Sequence, residues 1–298
     1  KRRLRKKGIV AEPKRRIFIN EEVCEGCGDC GEKSNCLSVT PKETELGRKR
    51  EINQSACNKD YSCVKGFCPS FISVIGGKLK TNKNKRALSD LPDLPEPTLP
   101  SIEKQPWNIV VVGTGGTGVL TITSLVAMAA HIQGKGCATL NQTGLAQKFG
   151  AVVSHVRVGT SQSAINSVRV PAGDADLLLG CDLVVAVGEE PLAKIHSKRT
   201  HALINSAEEA TAEFINNPDM VFPADKMKQV LSDSVAKGNI DFIDATKIAT
   251  ALLGDTIASN LFLLGFAYQK GLIPVSSWAL MQAIRLNAVS IKLNCDAF

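Results

Sequence analysis

From Lys104 to Gly173 the sequence contains no aspartate or glutamate, although 22% of the chain is charged and five lysines and arginines fall in that window. No apolar run reaches the ~18 residues of a membrane span, and no leader pattern is legible, so a membrane protein is not expected and a cytoplasmic one is. Aromatics are scarce at 5%. In particular, none interleave the basic run of residues 1–16, whose nine Lys/Arg stand against Glu12 alone. That run holds +8 against a net charge of +7, leaving −1 for the other 282 residues. Without a nucleic-acid fold signature behind it, it reads as a solvated lead-in and not as a nucleic-acid arm. His131, His196 and His201 have no ligand spacing, no nucleophile motif or paired carboxylates are visible, and no catalytic residue is assigned. No internal repeat is present. The chain opens on Lys and closes on "KLNCDAF", which reads as a piece of a longer polypeptide.

What is abundant is cysteine, and it is clustered: seven of ten lie between Cys24 and Cys68. Clustered, odd-numbered cysteines without secretion signals point to metal in a reducing compartment. The spacing is Cys24-x2-Cys27-x2-Cys30-x5-Cys36, then Cys57-x5-Cys63-x4-Cys68-Pro69. Three thiolates at successive x2 intervals suit three corners of a cubane, and the cysteine of a terminal Cys-Pro supplies the fourth corner. By that crossing, Cys24, Cys27, Cys30 and Cys68 hold one [4Fe–4S] cluster. Cys36, Cys57 and Cys63 remain for a second, with Asp60 where a fourth cysteine is expected. Asp60 can ligate iron through oxygen, leave a [3Fe–4S] cluster, or be a surface turn residue. A carboxylate is the harder ligand, so its corner should lose iron more easily. Zinc is the rival, but tetrahedral zinc draws on two separate C-x2-C-like pairs, and the second half has none. Arg48, Lys49, Arg50, Lys59 and Lys65 lie near these ligands in sequence. They could stabilise a reduced cluster and attract an acidic redox partner, or simply solubilise.

Composition divides the chain into a lead-in (1–19), a ferredoxin-like iron–sulfur domain (20–80), a Pro-rich linker (81–106) and a globular domain (107–298). The Cys- and Gly-rich module has little core of its own and would depend on metal. Five prolines between Pro92 and Pro106 favour an extended, semi-rigid spacer. The last domain alternates strand and helix signals, with strands expected at "WNIVVVG", "GCATLNQ", "AVVSHVRVG", "CDLVVAVG", "HALINS" and "NIDFIDAT". This implies a Rossmann-like, doubly wound, mostly parallel α/β sheet.

"VVVGTGGTGVLTI" places Gly113, Gly115 and Gly118, with Gly116, between a strand and a helix, as a phosphate-binding G-x-G-x-x-G does. The acid that a nicotinamide ribose requires at the next strand end is replaced by Asn141 and Gln142, so an anionic ligand is favoured over NAD. Close strand–helix packing explains the glycines equally simply. In "AVVSHVRVG" the alternation sets His155 and Arg157 on one face with Val153, suggesting a sheet edge or inter-domain contact, or a satisfied structural histidine. Cys137, Cys181 and Cys295 read as small buried apolar residues.

Taken together, "VCEGCGDCGEKSNCLSV", "GRKREINQSACNKDYSCVKGFCPSF", "VVGTGGTGV", "GLAQKFGAVVSHVR" and "DATKIATALLGDTIASNLFLLGFAYQKGL" resemble indolepyruvate ferredoxin oxidoreductases, most closely the large fused form. The likeness covers nearly all of Lys1–Phe298: a ferredoxin module followed by the gamma-type domain of the 2-oxoacid:ferredoxin oxidoreductase family. It implies oxidative decarboxylation of an aryl pyruvate with coenzyme A to an acyl-CoA, carbon dioxide and two electrons. Thiamine diphosphate would be bound by domains outside these residues. Ferredoxin would be the acceptor, and the full-length enzyme a homo-oligomer. It also implies that Asp60 is a feature of the fused subfamily, and that this piece alone does not turn over. The glycine loop would hold a phosphate of coenzyme A or close over the active site, with Lys148, His155 and Arg157 as weaker candidates there. Two rivals remain: an NAD(P)-linked iron–sulfur oxidoreductase using Gly113–Gly118 as a dinucleotide site, and a non-catalytic zinc module with a basic arm.

Overall fold

The computed structural model describes residues 5, 9–77, 94–143, 150–209, 217 and 219–298. Lys148, most of the lead-in before Ile9 and the first half of the Pro-rich segment lie outside them. The chain divides into two compact units, one of residues 1–80 with 208–222, the other of 81–207 with 223–298. Residues 208–222, which the sequence places inside the globular domain, thus group with the cysteine-rich unit. Among the described residues no helix is long and apolar enough to cross a membrane.

The smaller unit is built on two antiparallel strand pairs. β1 (Arg15–Ile19) pairs with β4 (Phe71–Ile75), so the two ends of the module meet. β2 (Val39–Thr44) and β3 (Gly47–Ile52) form a hairpin. Gly47 turns it with φ 88°, a conformation that costs an L side chain strain. One short helix, α1 (Asp29–Ser34), follows the first three cysteines. Among the described residues the buried apolar set is small, Ile17, Cys24, Val39 and Ile52, while Ile72, Val74 and Ile75 are exposed. So little burial leaves the unit in need of another source of stability.

In the larger unit a six-stranded sheet runs in the order β10-β9-β8-β5-β7-β6. Its strands are β5 (Trp107–Thr114), β6 (Gly136–Thr143), β7 (Ala151–Gly159), β8 (Leu177–Gly180), β9 (His201–Asn205) and β10 (Ile240–Ile243). β10, β9, β8 and β5 pair in parallel, whereas β7 is antiparallel to both β5 and β6. The sheet is therefore mixed, and the expectation of a doubly wound, mostly parallel sheet is corrected at β7. Only seven residues separate β6 from β7, fewer than the dozen or more that the crossover of a parallel pair needs. β7 also lies between two strands, not at an edge, which corrects the edge expected from His155 and Arg157.

Both faces of the centre are covered, which is why its strands read as unbroken apolar runs. Ile109, Val111, Leu177, Leu179 and Leu203 share one core with the helices α2 (Val119–Ile132), α6 (Ala245–Leu253), α7 (Ser259–Gln269) and α8 (Ser277–Asn287). Val110, Val112, Leu178 and Ile204 are equally buried with the opposite alternation.

Another correction concerns "CDLVVAVG". The strand precedes it, at Leu177–Gly180, and Leu183–Ala186 is a helical turn, α3, whose Val185 N donates to Asp182 Oδ1 at 2.9 Å. An aspartate N-cap overrides the β-propensity of two valines. The remaining helices are α4 (Glu189–Lys194), α5 (Ala224–Ser234) and α9 (Ile291–Ala297). The described part of the Pro-rich segment is not a free spacer: Tyr268 Oη donates to Glu96 (2.5 Å), Gln269 Nε2 to the Pro95 carbonyl (2.7 Å), and Ile102 is buried.

Candidate functional site

Burial pushes the Cys30 thiol up to about 11, and the charges of Cys24, Cys27 and Cys68 raise it further. Burial likewise pushes Cys63 up to about 11, with Cys36, Cys57 and Asp60 adding to the rise. Cys57 is raised in the same way, by burial and then by Cys36 and Asp60. Sorted by whose charge acts on which thiol, these side chains fall into two quartets, Cys24/Cys27/Cys30/Cys68 and Cys36/Cys57/Asp60/Cys63. Among the described residues none of the cysteines is joined in a disulfide. No three His, Cys, Asp or Glu side chains among them are drawn tightly enough to hold a single metal ion. Ligands of an iron–sulfur cluster each take a different iron and stand around its body, not around one point. The donor chemistry fits: four soft thiolates in one quartet, three thiolates and a hard carboxylate in the other.

Local backbone explains the grouping. Gly26 and Gly28 adopt φ 76° and 85°, folding Cys24–Cys30 into a tight loop. The Gly26 N–H donates to Cys24 Sγ (3.4 Å). Around Asp60 the chain is strained, because Lys59 (φ 55°) and Tyr61 (φ 62°) both occupy the left-handed region. Such residues persist where their surroundings over-determine them. Here Lys59 Nζ pairs with Glu12 (2.5 Å), Tyr61 Oη donates to the Arg15 carbonyl (2.9 Å), and the Arg15 guanidinium sits 5.2 Å above the Tyr61 ring. Lys59 N donates to Cys57 Sγ (3.3 Å). Asp60 Oδ1 accepts from Ser62 N (3.1 Å) and Ser62 Oγ (2.9 Å), an Asx turn beside the thiols.

The lead-in takes part as well. Arg5 is almost wholly buried and donates to the Asn58 carbonyl at 2.8 Å, which corrects its reading as a solvated residue. Of the other cations, Arg50 is buried, and Arg48 pairs with Glu43 (2.5 Å) and donates to the Met220 carbonyl (2.7 Å).

The glycine loop joins β5 to α2 in the larger unit, at the carboxyl ends of β5 and β8. From β5 the chain passes to β6 and β7 on one side of it and then to β8 on the other, so this is the topological switch point where open α/β sheets bind ligands. The glycines divide in role. A Cβ on Gly113 would lie 2.8 Å from Val119 Cγ2 and 2.9 Å from Cys181 Cβ, so Gly113 serves strand–helix packing. Gly116 (φ 89°) and Gly118 (φ 111°) need the left-handed region, and a Cβ on Gly116 would meet nothing within 4 Å. Gly115 N donates to the Gly150 carbonyl (2.8 Å).

Two residues missed from sequence complete this loop. Asn260, buried on α7, donates to the Thr117 carbonyl at 3.3 Å. Asp182, which lies beyond the acid-free window, accepts from the Thr114 hydroxyl at 3.0 Å. Their only sequence signals are an asparagine on an apolar helix and an aspartate two residues after a glycine-ended strand.

The residues standing in for the ribose acid are engaged elsewhere. Asn141 Oδ1 accepts from Thr123 Oγ1 (3.4 Å), and Gln142 Oε1 lies 2.8 Å from His155 Nε2. His155 is fully buried, its Nδ1 accepting from Val170 N (3.4 Å), so it is a satisfied structural histidine. Arg157 Nε donates to Asn108 Oδ1 (2.8 Å). Of the three remaining cysteines, Cys181 is buried and Cys137 and Cys295 half-buried.

Burial, and after it the Lys194 charge, pushes His155 down to about 4 against the opposing pull of Glu190, with Arg169 adding to the fall. An unfolded histidine titrates near 6.5, so between pH 6.5 and 4 the unfolded chain binds a proton that the folded chain refuses. This contribution is whole above pH 6.5 and is lost as pH falls towards 4. Denaturant unfolding followed by tryptophan fluorescence should show the larger unit losing about 2–3 kcal/mol more than its His155→Gln variant between pH 7.5 and 4.5. Parallel losses would show that His155 is not the group responsible.

Residues 108–298 match the pyruvate ferredoxin/flavodoxin oxidoreductase family. Over 196 residues the chain is 28% identical to indolepyruvate oxidoreductase subunit IorB of Thermococcus kodakarensis, covering 64% of this chain and 92% of that one. The Pyrococcus horikoshii subunit of the same name matches with the same identity and coverage. Among solved structures, pyruvate oxidoreductase subunit PORC from Thermotoga maritima aligns with a TM-score of 0.44 and 19% identity over 65% of this chain and 93% of that one. A keto/oxoacid ferredoxin oxidoreductase gamma subunit from Geobacter sulfurreducens aligns with a TM-score of 0.42 and 19% identity over 64% and 93%.

Proposed function

The chain belongs to the pyruvate ferredoxin/flavodoxin oxidoreductase family, and from that premise we propose that it is the electron-exit part of an indolepyruvate-type 2-oxoacid:ferredoxin oxidoreductase, a ferredoxin-like module followed by a gamma-type domain in a large fused enzyme. The reaction is the oxidative decarboxylation of an aryl pyruvate with coenzyme A, completed by thiamine-diphosphate domains outside these residues. Support for the substrate class comes from the names of the curated relatives and from motifs that resemble the fused enzymes along nearly the whole chain.

What supports the electron-exit role is the crossed pattern of charges, in which Cys68 acts on Cys30 with Cys24 and Cys27 while Cys63 answers to Cys36, Cys57 and Asp60. Cys24, Cys27, Cys30 and Cys68 would hold a [4Fe–4S] cluster, and Cys36, Cys57, Cys63 and Asp60 a [4Fe–4S] or [3Fe–4S] one. When bound, such clusters supply one-electron storage at potentials set by their surroundings. The work of the chain is then local. Seven cysteines, joined by Asp60 in the four-iron form, would provide the ligands, the Gly26 and Lys59 N–H groups donate to ligand sulfurs, and the Glu12–Lys59 pair holds the Asp60 loop in shape. In the larger unit the Gly113–Gly118 loop is open at Gly116, just before α2, and would suit a phosphate of coenzyme A there. Asn260 would hold that loop from α7.

The test is anaerobic purification of the chain, a count of iron and acid-labile sulfide, and electron paramagnetic resonance before and after dithionite. Two clusters require about seven or eight irons per chain. A signal in the oxidised protein marks a three-iron cluster at Asp60, and a signal only on reduction an Asp-ligated four-iron one. A colourless, iron-free chain sinks the proposal.

A further inference from the structure

Ser70 is the side chain near the cysteines that this reading does not use. It is 3% exposed, and its Oγ lies 2.9 Å from Cys68 Sγ. The turn around it is pinned at both ends: its carbonyl accepts from Asn20 N (2.8 Å), and Phe71 N donates to the Cys68 carbonyl (3.4 Å) before β4 begins. A buried hydroxyl held this way is kept against the sulfur. A metal-bound thiolate carries no proton, so in the loaded site the hydroxyl is the donor and the sulfur the acceptor.

We propose that Ser70 is a positioning residue that raises the one-electron potential of the cluster held by Cys24, Cys27, Cys30 and Cys68, by donating its hydroxyl hydrogen to Cys68 Sγ. This rests on the cluster assignment given under the proposed function. Reduction adds one negative charge shared with the ligand sulfurs, and a donor to a sulfur stabilises the charged form more than the less charged one. Each quartet also receives a backbone donor, Gly26 N to Cys24 in the first and Lys59 N to Cys57 in the second. Ser70 adds a hydroxyl to the first.

The experiment is a redox titration of the full chain, with both clusters in place, followed by electron paramagnetic resonance. Ser70→Ala should lower the equilibrium constant for reduction of the first cluster about ten-fold, or ~59 mV for one electron. Iron, sulfide and the second cluster's potential should not change. Ser70→Thr should keep the wild-type potential and Ser70→Val should behave as Ser70→Ala, since those two differ in the hydroxyl and hardly in shape. Should Ser70→Ala lose its iron, the Thr/Val pair decides. Equal potentials in that pair, or a full iron count with an unmoved first potential, overturn the inference while leaving the cluster assignment standing. A parallel shift of both clusters also overturns it, because it reports a general change in the unit. A wild-type chain without iron removes the assignment and the inference together.

Discussion

Cys68→Ala is expected to abolish the same cluster as Cys30→Ala, although Cys68 is five residues from Cys63 and thirty-eight from Cys30 in the sequence. Each variant should fall from about eight irons to about four and lose the same paramagnetic signal, while Cys63→Ala loses the other. The reason is spatial. The antiparallel pairing of β1 with β4 brings the end of the module back to its beginning, so Cys68, three residues before β4, comes back towards the loop after β1. Cys30 is burdened by Cys24, Cys27 and Cys68, and Cys63 by Cys36, Cys57 and Asp60, with no member shared. If Cys68→Ala and Cys63→Ala were to lose one and the same signal, the crossed assignment would be wrong. The effect is large because removing one thiolate leaves three ligands for a body built on four.

Gly26→Ala should be almost as damaging without touching a ligand. A Cβ there would lie 2.2 Å from the Arg48 carbonyl oxygen, and the residue sits at φ 76°. The left-handed conformation costs an L residue about 1–2 kcal/mol. Overpacking against a neighbour typically adds about 1–3 kcal/mol. The obstructing atom is backbone of β3, locked to β2 from Val39↔Ile52 to Thr44↔Gly47, so it cannot swing aside as a side chain would. The smaller unit should therefore lose about 3 kcal/mol, expressed as rapid release of the first cluster's iron to a chelator. Gly66→Ala is the control: no atom lies within 4 Å of its Cβ, and it should hold iron as the wild type does. Equal rates of iron release in the two variants would show that the contact with β3 does not matter.

Much of this chain is local chemistry and was legible in its sequence. The x2 spacing of Cys24, Cys27 and Cys30 is a property of one loop. The apolar run before Gly113 is long enough for a buried strand, and "GVLTITSLVAMAAHIQG" is a helix closed by Gly134, which takes φ 67°. Where the sequence misled, a partner outside the segment decided. "LVVA" has the composition of a strand, but Leu177–Gly180 already occupies the place beside β5, and Asp182 caps the next four residues into a helical turn. The acid-free window ended before Asp182, whose carboxylate reaches back to Thr114 across two adjacent strands.

By itself, the sequence determined where the cysteines concentrate, where the glycine loop lies and which segments alternate as strand and helix, because each depends on spacing within a few residues. Tertiary structure alone decided the direction of β7 between β5 and β6, the burial of Arg5 beside Asn58, the seating of Ser70 against Cys68 and the hold of Asn260 on the glycine loop. In most of these the partners are far apart along the chain. The free energy of such contacts comes from burial and from hydrogen bonds that exist only once the chain has folded, so composition and periodicity carry no trace of them.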